Sequence, residues 1–364
     1  MTPRDHLLES FLKAVSAADP RHILPSHLPH PPKGRTVVVG AGKAAAAMAQ
    51  AVENAWPSNA PIEGLVITRY GHALPTQRIS VIEASHPIPD EQGERASRTM
   101  LTLVESLGAD DLLLCLLSGG GSSLLALPID GVSLADLREV THQLLRSGAN
   151  IQNINIVRKH LSAIQGGRLA AACKSPILAL IISDVTGDEV THIASGPCSP
   201  DPSTFADALE VLRRYEIRLP PSVHEVLFSG IKGHINETLK PDASLFERVE
   251  HRIIANAHQS LTAAADYFRN IQIMPLILGD TVTGEACEIA KSYAALSKEI
   301  HAYPQILKAP IALISGGETT VTVKGSGRGG RNTEFLLSLL LALEGQENVY
   351  ALACDTDGLD GSEN

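Results

Sequence analysis

The sequence predicts an α/β fold in two lobes: first a doubly wound, mostly parallel sheet with helices on both faces, then a smaller α/β domain. Three observations carry this expectation. Short β-branched or leucine-rich runs alternate with helix-patterned segments over roughly the first 200 residues, the order expected of parallel strands joined by crossover helices. Aromatic residues make up only 4% of the 364, while Ala, Leu, Ile and Gly abound. That composition suits a sheet wrapped in helices better than a β-sandwich. Turns rich in glycine or aspartate follow the apolar runs, where ligands bind in folds of this class.

The elements follow in order. Asp5 to Ala18 has helical apolar spacing and stops at Pro20. "RTVVVG" reads as a strand and "AGKAAAAMAQAVENAW" as the helix after it. "GLVITRYG" and "ISVIEASHPIPD" are strands ending in turns, and "EQGERASRTMLTLVESLG" is a helix. "DLLLCLLSGGGSSLLALP" reads as a buried strand, a glycine turn and a helix start. Ser133 to Arg146 opens with Ser-x-x-Asp, a near capping box. Ile154 to Gln165 continues as a helix, with Gly166–Gly167 as its stop. "SPILALIISDVTGDE" is an apolar strand breaking into an acidic loop, and "ADALEVLRRYEI" is helical. The pattern weakens from about Pro220 to Leu245, which sets domains at 1–235 and 236–364. Beyond it, "HRIIANAH" and "IMPLILGD" are strands, each followed by a helix. "PIALISGGETTVTVKG" reads as two strands joined by a glycine turn, and "VYALACDTDGLDG" as a buried parallel strand delivering carboxylates.

Bulk properties narrow the function. A formal net charge of −10 speaks against nucleic acid or an acidic membrane surface as partner. A small anionic substrate would draw on a few placed cations. The five cysteines are odd in number, far apart and without a CxxC pair, so neither zinc site nor disulfide framework is expected and a reduced cytoplasm fits. No signal-peptide pattern opens the chain, and no apolar run is long enough to span a bilayer.

The candidate sites lie at strand ends. Gly40-Ala-Gly42-Lys43-Ala-Ala matches the looser dinucleotide fingerprint, yet it also puts a lysine at a helix mouth where an ammonium meets phosphate. The strand "LVIT" ends at Arg69 rather than at an acidic residue for an NAD ribose, which leaves room for NADP. Ser118, Gly119, Gly120, Gly121, Ser122 and Ser123 form a glycine turn whose amides can cradle a phosphate or carboxylate. Asp184 ends a strand, with Asp188 behind it; such carboxylates take a proton from a hydroxyl or hold magnesium. Arg158, Lys159, His160 and Arg168 are either a solvated basic face or an anion contact. In the smaller lobe Glu318 sits at a glycine turn, Arg328 and Arg331 flank Gly329–Gly330 ahead of a helix, and Asp355, Asp357 and Asp360 follow an apolar run. Donors for phosphate oxygens, acidic turns and a base are together the parts of a phosphoryl-transfer enzyme.

Seven motifs occur in order: "GAGKAAAAMA", "SHPIPDE", "LLSGGGSSLL", "NIVRKHLSAIQGGRLA", "ISDVTGDEVTHIASGP", "LISGGETTVTVKGSGRGGRNTEF" and "DTDGLDG". In these, and over nearly all its length, the chain closely resembles the class II glycerate kinases, whose second region is the MOFRL domain. The resemblance implies ATP-dependent conversion of D-glycerate to 2-phosphoglycerate in an interdomain cleft. ATP is the expected cosubstrate, with Mg2+ on Asp188, Asp355 or Asp357. The partners expected are small molecules, and a homo-oligomer is compatible with the sequence. Lys43 and Arg328 occupy the family's GKA and GRGGRN positions and are expected at the catalytic centre, with Asp184 as general base or metal ligand. Gln165 stands where many family members carry lysine before the paired glycines, so no charge-dependent role is expected there. Family members continue beyond "DTDGLDG", so the MOFRL-type domain is expected to be C-terminally truncated. Some relatives are called hydroxypyruvate reductases, and an NAD(P)H-dependent reductase or a non-catalytic metabolite-binding fragment are the alternatives.

Overall fold

The computed structural model describes residues 1–361 except Thr186, Ile306, Ser326 and Leu359. Thr186 of the acidic loop, Ser326 of the glycine–arginine stretch and Leu359 of "DTDGLDG" therefore lie outside the described residues. Six strands form the main sheet: β1 (Thr36–Ala41), β2 (Ile62–Arg69), β3 (Ile79–Ala84), β4 (Leu112–Leu117), β5 (Ile177–Ile182) and β6 (Val249–Ala255). Their order is β3-β2-β1-β4-β5-β6. β3, β2, β1, β4 and β5 pair parallel, with Gly40 opposite both Val66 and Leu116. Every residue of β1 and of β4 is buried. This is why both read as unbroken apolar runs: helices cover both faces of a parallel sheet. Val37, Val39, Cys115 and Met100 belong to the core on one face, and Val38, Met48, Val52, Leu114 and Leu116 to the core on the other. Burying one such side chain stabilises the fold by about 1.5–3 kcal/mol.

The order in which strands are added reverses between β1 and β4, so their crossover connections run to opposite sides and leave a crevice at the carboxyl ends. A third core joins four helices: Leu134–Arg146, Ile151–His160, Phe205–Arg214 and Pro221–Ile231. Ser133 caps the first of them by accepting the Asp136 N–H, as its Ser-x-x-Asp predicts.

The chain divides into two compact units, Pro20–Ile254 and Met1–Asp19 with Ala255–Asn364. The division expected at 235/236 therefore falls inside the larger unit, because β6 takes the sheet edge beside β5. The helix Pro3–Ser16 belongs to the smaller unit, where His6 Nδ1 lies 2.9 Å from Tyr267 Oη. There β7 (Met274–Glu285) and β8 (Ile311–Thr320) pair parallel in a two-stranded sheet. The helices Ala286–Ala302 and Arg331–Leu343 pack through Ala290, Ala294, Leu339 and Leu343. Among the described residues no helix is long and apolar enough to cross a membrane.

Three local expectations are corrected. The helix expected over Ile154–Gln165 runs Ile151–His160. Past it, Ser162 bridges to Pro128 and its hydroxyl accepts the Ile164 and Gln165 amides, so the chain turns early. Within "PIALISGGETTVTVKG", Ile311–Thr320 runs through the glycines as one strand, β8, parallel to β7, and residues 321–325 are not strand. "VYALACD" forms no strand, and Tyr350 and Leu352 are exposed; among the described residues it pairs with no other strand.

Candidate active site

Two turns meet in the crevice between β1 and β4. The Lys43 N–H donates to Gly119 O at 2.8 Å, and the Ala44 N–H to Ser118 Oγ at 3.1 Å. The Ser118 N–H donates in return to Ala41 O, and the Ala45 N–H closes on Gly42 O. A Cβ placed on Gly42 would lie 2.1 Å from Ser118 Oγ. Gly40 is buried within β1 against Leu116. The glycine fingerprint is thus filled by the neighbouring turn, and the Gly42, Lys43, Ala44 and Ala45 amides are used internally. A dinucleotide pyrophosphate needs both that space and those amides.

Gly119 and Gly120 are where the loop is open. A Cβ on Gly119 would lie 2.1 Å from Asp184 Oδ2, and one on Gly120 (φ +81°) would lie 3.0 Å from His86 Cδ2 and Nε2 and 3.4 Å from Lys43 Cγ. Lys43, His86 and Asp184 therefore crowd around one dipeptide, which only glycine fits. The Gly119 and Gly120 N–H groups make no hydrogen bond among the described residues, whereas the Gly121 and Ser123 amides turn back to Ser118 O and Gly120 O. The expected nest of amides narrows to those of Gly119, Gly120 and Ser122. Free N–H groups, an ammonium, an imidazole and an exposed carboxylate at one place can hold an anion and move a proton.

The loop is braced from behind. Gln165 Nε2 donates to Ser122 O at 2.7 Å and to Leu125 O at 3.2 Å, an uncharged tie that suits glutamine here. Ser195 Oγ lies 2.9 Å from Ser122 Oγ and 3.2 Å from Asn155 Oδ1. Ala194 and Ser195 hold left-handed backbone (φ 50° and 57°), which costs of order 1–3 kcal/mol each for side chains other than glycine. Ala194 packs on Gly121, where a Cβ would meet its own at 2.6 Å.

Arg158, Lys159 and His160 are buried rather than solvated. Lys159 Nζ pairs with Asp201 Oδ1 at 2.6 Å, with the two side chains 1% and 0% exposed. Burial opposes ionisation of Asp201, but the Lys159 ammonium and Ser203 hold its carboxyl below the usual range. His160 Nε2 lies 3.2 Å from Glu237 Oε2. Burial would raise Glu237, yet hydrogen bonds from His160 and the Phe205 N–H, with the charges of His160 and Lys240, bring it down to about 2. The Arg168 guanidinium donates to Lys159 O at 2.8 Å.

In the smaller unit the glycine–arginine stretch is locked by acids. Arg331 binds Asp355 with two nitrogens, at 3.2 and 3.0 Å, and Glu318 with a third. Burial opposes its charge, but these carboxylates raise its pKa further. Asp360 accepts the Asn332 and Thr333 N–H groups at 2.9 Å, so a carboxylate of the chain already fills that helix N-terminus. Gly330 presses on Asp360, and Gly329 precedes it in left-handed backbone. Arg331 therefore holds the loop, while Arg328 is exposed. Asp355 also accepts from Asn332 Nδ2, so its oxygens are occupied and fit a magnesium ion poorly. Asp357 is half-buried in the following turn. Among the described residues no three His, Cys, Asp or Glu side chains gather as a metal site.

The structure brings Lys43, the Ser118–Ser123 loop and Asp184 together in the larger unit, and Glu318, Gly330, Arg331 and Asp355 together in the smaller. His86, Asn155 and Ser195 are not marked as site residues by the sequence, and Asp360, expected among the acidic turn residues, is found on the amides of Asn332 and Thr333. His86 carries a signal, a histidine before proline in a turn at a strand end; Asn155 carries none.

Residues 6–228 match the family described as "Domain of unknown function (DUF4147)", and residues 311–364 match the MOFRL family. The chain is 48% identical over 366 residues to a "Putative hydroxypyruvate reductase" of Agrobacterium vitis, covering 100% of this chain and 82% of that protein. It is 40% identical over 356 residues to the "D-glycerate 2-kinase" of Thermotoga maritima, covering 97% and 82%. A crystal structure of glycerate kinase from Thermotoga maritima superimposes with a TM-score of 0.85 at 40% identity, covering 98% of this chain and 84% of that one.

Proposed function

This chain belongs to the glycerate kinase family, and from that premise we propose that it transfers the terminal phosphoryl group of ATP to D-glycerate, giving 2-phosphoglycerate. The observation that carries the reading is the packing of the Lys43, His86 and Asp184 side chains around the Gly119–Gly120 dipeptide. The two amides of this dipeptide and the Lys43 ammonium hold phosphoryl oxygens as charge moves to the leaving group. The Asp184 carboxylate accepts the proton of the 2-hydroxyl while that oxygen bonds to phosphorus and the bond to ADP breaks. Arg328 is the second cation proposed to serve the transfer, and Arg331, Glu318 and Asp355 keep its loop in shape.

Magnesium enters as part of this reading. Kinases hold it through one or two carboxylates together with substrate phosphates. Asp188, half-buried in the same acidic loop as Asp184, fits that pattern, and Asp355 does not. When bound, the ion would neutralise phosphate charge. A cytoplasmic setting accords with five cysteines that are all unpaired.

The reductase reading has less support. β2 ends at Arg69, whose Nε–H donates to His72 Nε2 at 2.7 Å, and the fingerprint amides are taken up by Ser118 and Gly119. An ATPase assay coupled to D-glycerate, run beside nicotinamide absorbance with hydroxypyruvate, separates the two. Glycerate-dependent ADP release supports the kinase, and nicotinamide oxidation with no ADP release overturns it.

A further inference from the structure

Arg158 is the charge that the fold leaves unanswered. It is 8% exposed, and among the described residues no carboxylate pairs with it. Its Nη1–H donates to Asn155 Oδ1 at 3.4 Å, its one side-chain hydrogen bond among those residues. Burial pushes the guanidinium down to about 10, with no anion to raise it. The next residue shows the alternative, since Lys159 has Asp201 at 2.6 Å. A buried cation without a counter-ion is costly, and an incoming anion relieves that cost.

The surroundings point to the place where that anion sits. Arg158 lines a cavity of about 10 Å³ with Ser122, Gln165 and Pro89, room for little more than one water. The cavity lies behind the glycine loop, at its Ser122 end. Asn155 and Ser195 link the guanidinium to the Ser122 hydroxyl. Lys43 stands at the other end, beside Gly120. In a 2-hydroxy acid the reacting hydroxyl is on the carbon next to the carboxylate. Transfer to it brings two anions together, and two separate cations suit them.

Taking the loop as the transfer site of the proposed kinase, we propose that Arg158 is a positioning and specificity residue. Its charge, with its hydrogen-bonded path to Ser122, makes the Ser122 end of the loop prefer an acceptor bearing a carboxylate over its neutral analogue. It acts through Asn155, Ser195 and the field in a poorly solvated interior, where a charge is felt beyond contact distance.

The test is calorimetric binding of D-glycerate, of neutral D-glyceramide and of ATP to the full chain, wild type and variants. Arg158→Gln should weaken glycerate by about tenfold or more and leave glyceramide and ATP unchanged. Arg158→Lys, which keeps the charge, should retain most of the preference. Asn155→Asp supplies an internal carboxylate and should lose the preference with Arg158 still present. If Arg158→Gln does not fold, the other two variants decide by the same ratio. Equal weakening of both acceptors, an unchanged preference, a loss confined to ATP, or a wild type that binds neither acceptor overturns the inference. Glycerate-dependent ADP release, measured on the same wild-type sample, reports separately on the kinase reading.

Discussion

The two units hold their glycine loops by opposite means. In the larger, Gly119–Gly120 ends a strand buried on both faces, and its neighbours are laced to it by backbone hydrogen bonds. In the smaller, β7 and β8 form a pair with most residues half-exposed, and the following helix shows Leu337, Leu340 and Leu341 to the outside. There the loop bearing Arg328 is held by side-chain charges, Arg331 with Asp355 and Glu318, and by Asp360 on the helix amides. Packing is insensitive to salt, and half-exposed ion pairs are not. The first loop should therefore be rigid under all mild conditions, and the second adjustable by ionic strength.

The largest effect comes from breaking the buried charges of the larger unit. Lys159→Met leaves Asp201 ionisable and unpaired in the core, and should cost about 3–5 kcal/mol of unfolding free energy, read from denaturant titration. A loss below about 1 kcal/mol would show that the pair does not brace this unit. Lys43→Ala should leave stability near wild type but remove about 3–4 kcal/mol of transition-state stabilisation, a fall of several hundredfold in kcat. A rate within twofold of wild type would return Lys43 to the role of a solvated turn residue.

Smaller effects sharpen the contrast. Asp355→Asn should loosen the arginine loop by about 1 kcal/mol. Hydrogen exchange should then quicken over Arg331–Leu343 while β1 and β4 stay protected, and raised salt should reproduce part of this in the wild type. Equal protection of both units in the variant would contradict the division of labour drawn above. A further effect, confined to acid, is the loss of stabilisation at Glu237. Its folded pKa of about 2 lies below the ordinary 4.5, so the unfolded chain binds the proton first. The stabilisation is fully present above about pH 4.5 and fades as pH falls toward 2. Melting temperature in wild type and Glu237→Gln should converge across that window, and parallel curves would remove Glu237 from the account.

What was legible in the sequence was local. β1, β4 and β5 announce themselves as apolar runs because burial on both faces demands it, and glycines at their ends mark the crevice. That Lys43, Gly119, Gly120 and Asp184 lie at one crevice was readable for the same reason, since each comes two or three residues after a buried strand. The remainder is set at a distance. Nothing near "RKH" tells that Lys159 will meet Asp201, 42 residues on, so the run reads as a solvated face. His86 gains meaning only when Gly120 arrives beneath its ring. "VYALACD" has a strand's composition but, among the described residues, no strand beside it, and composition does not report a neighbour.

The crevice between β1 and β4 also bears on how the chain folds. Ala44 and Ser118, bonded across it, are 74 residues apart. No local segment can form this contact early, because the loop entropy of closing so long a stretch must first be overcome by the strands between. Prior formation of β2, β3 and the helix Glu91–Glu105 would shorten the loop that closes when β4 docks against β1 and brings the glycine turn onto the lysine turn. Ligand affinity would thus appear late in refolding, after most secondary structure has returned.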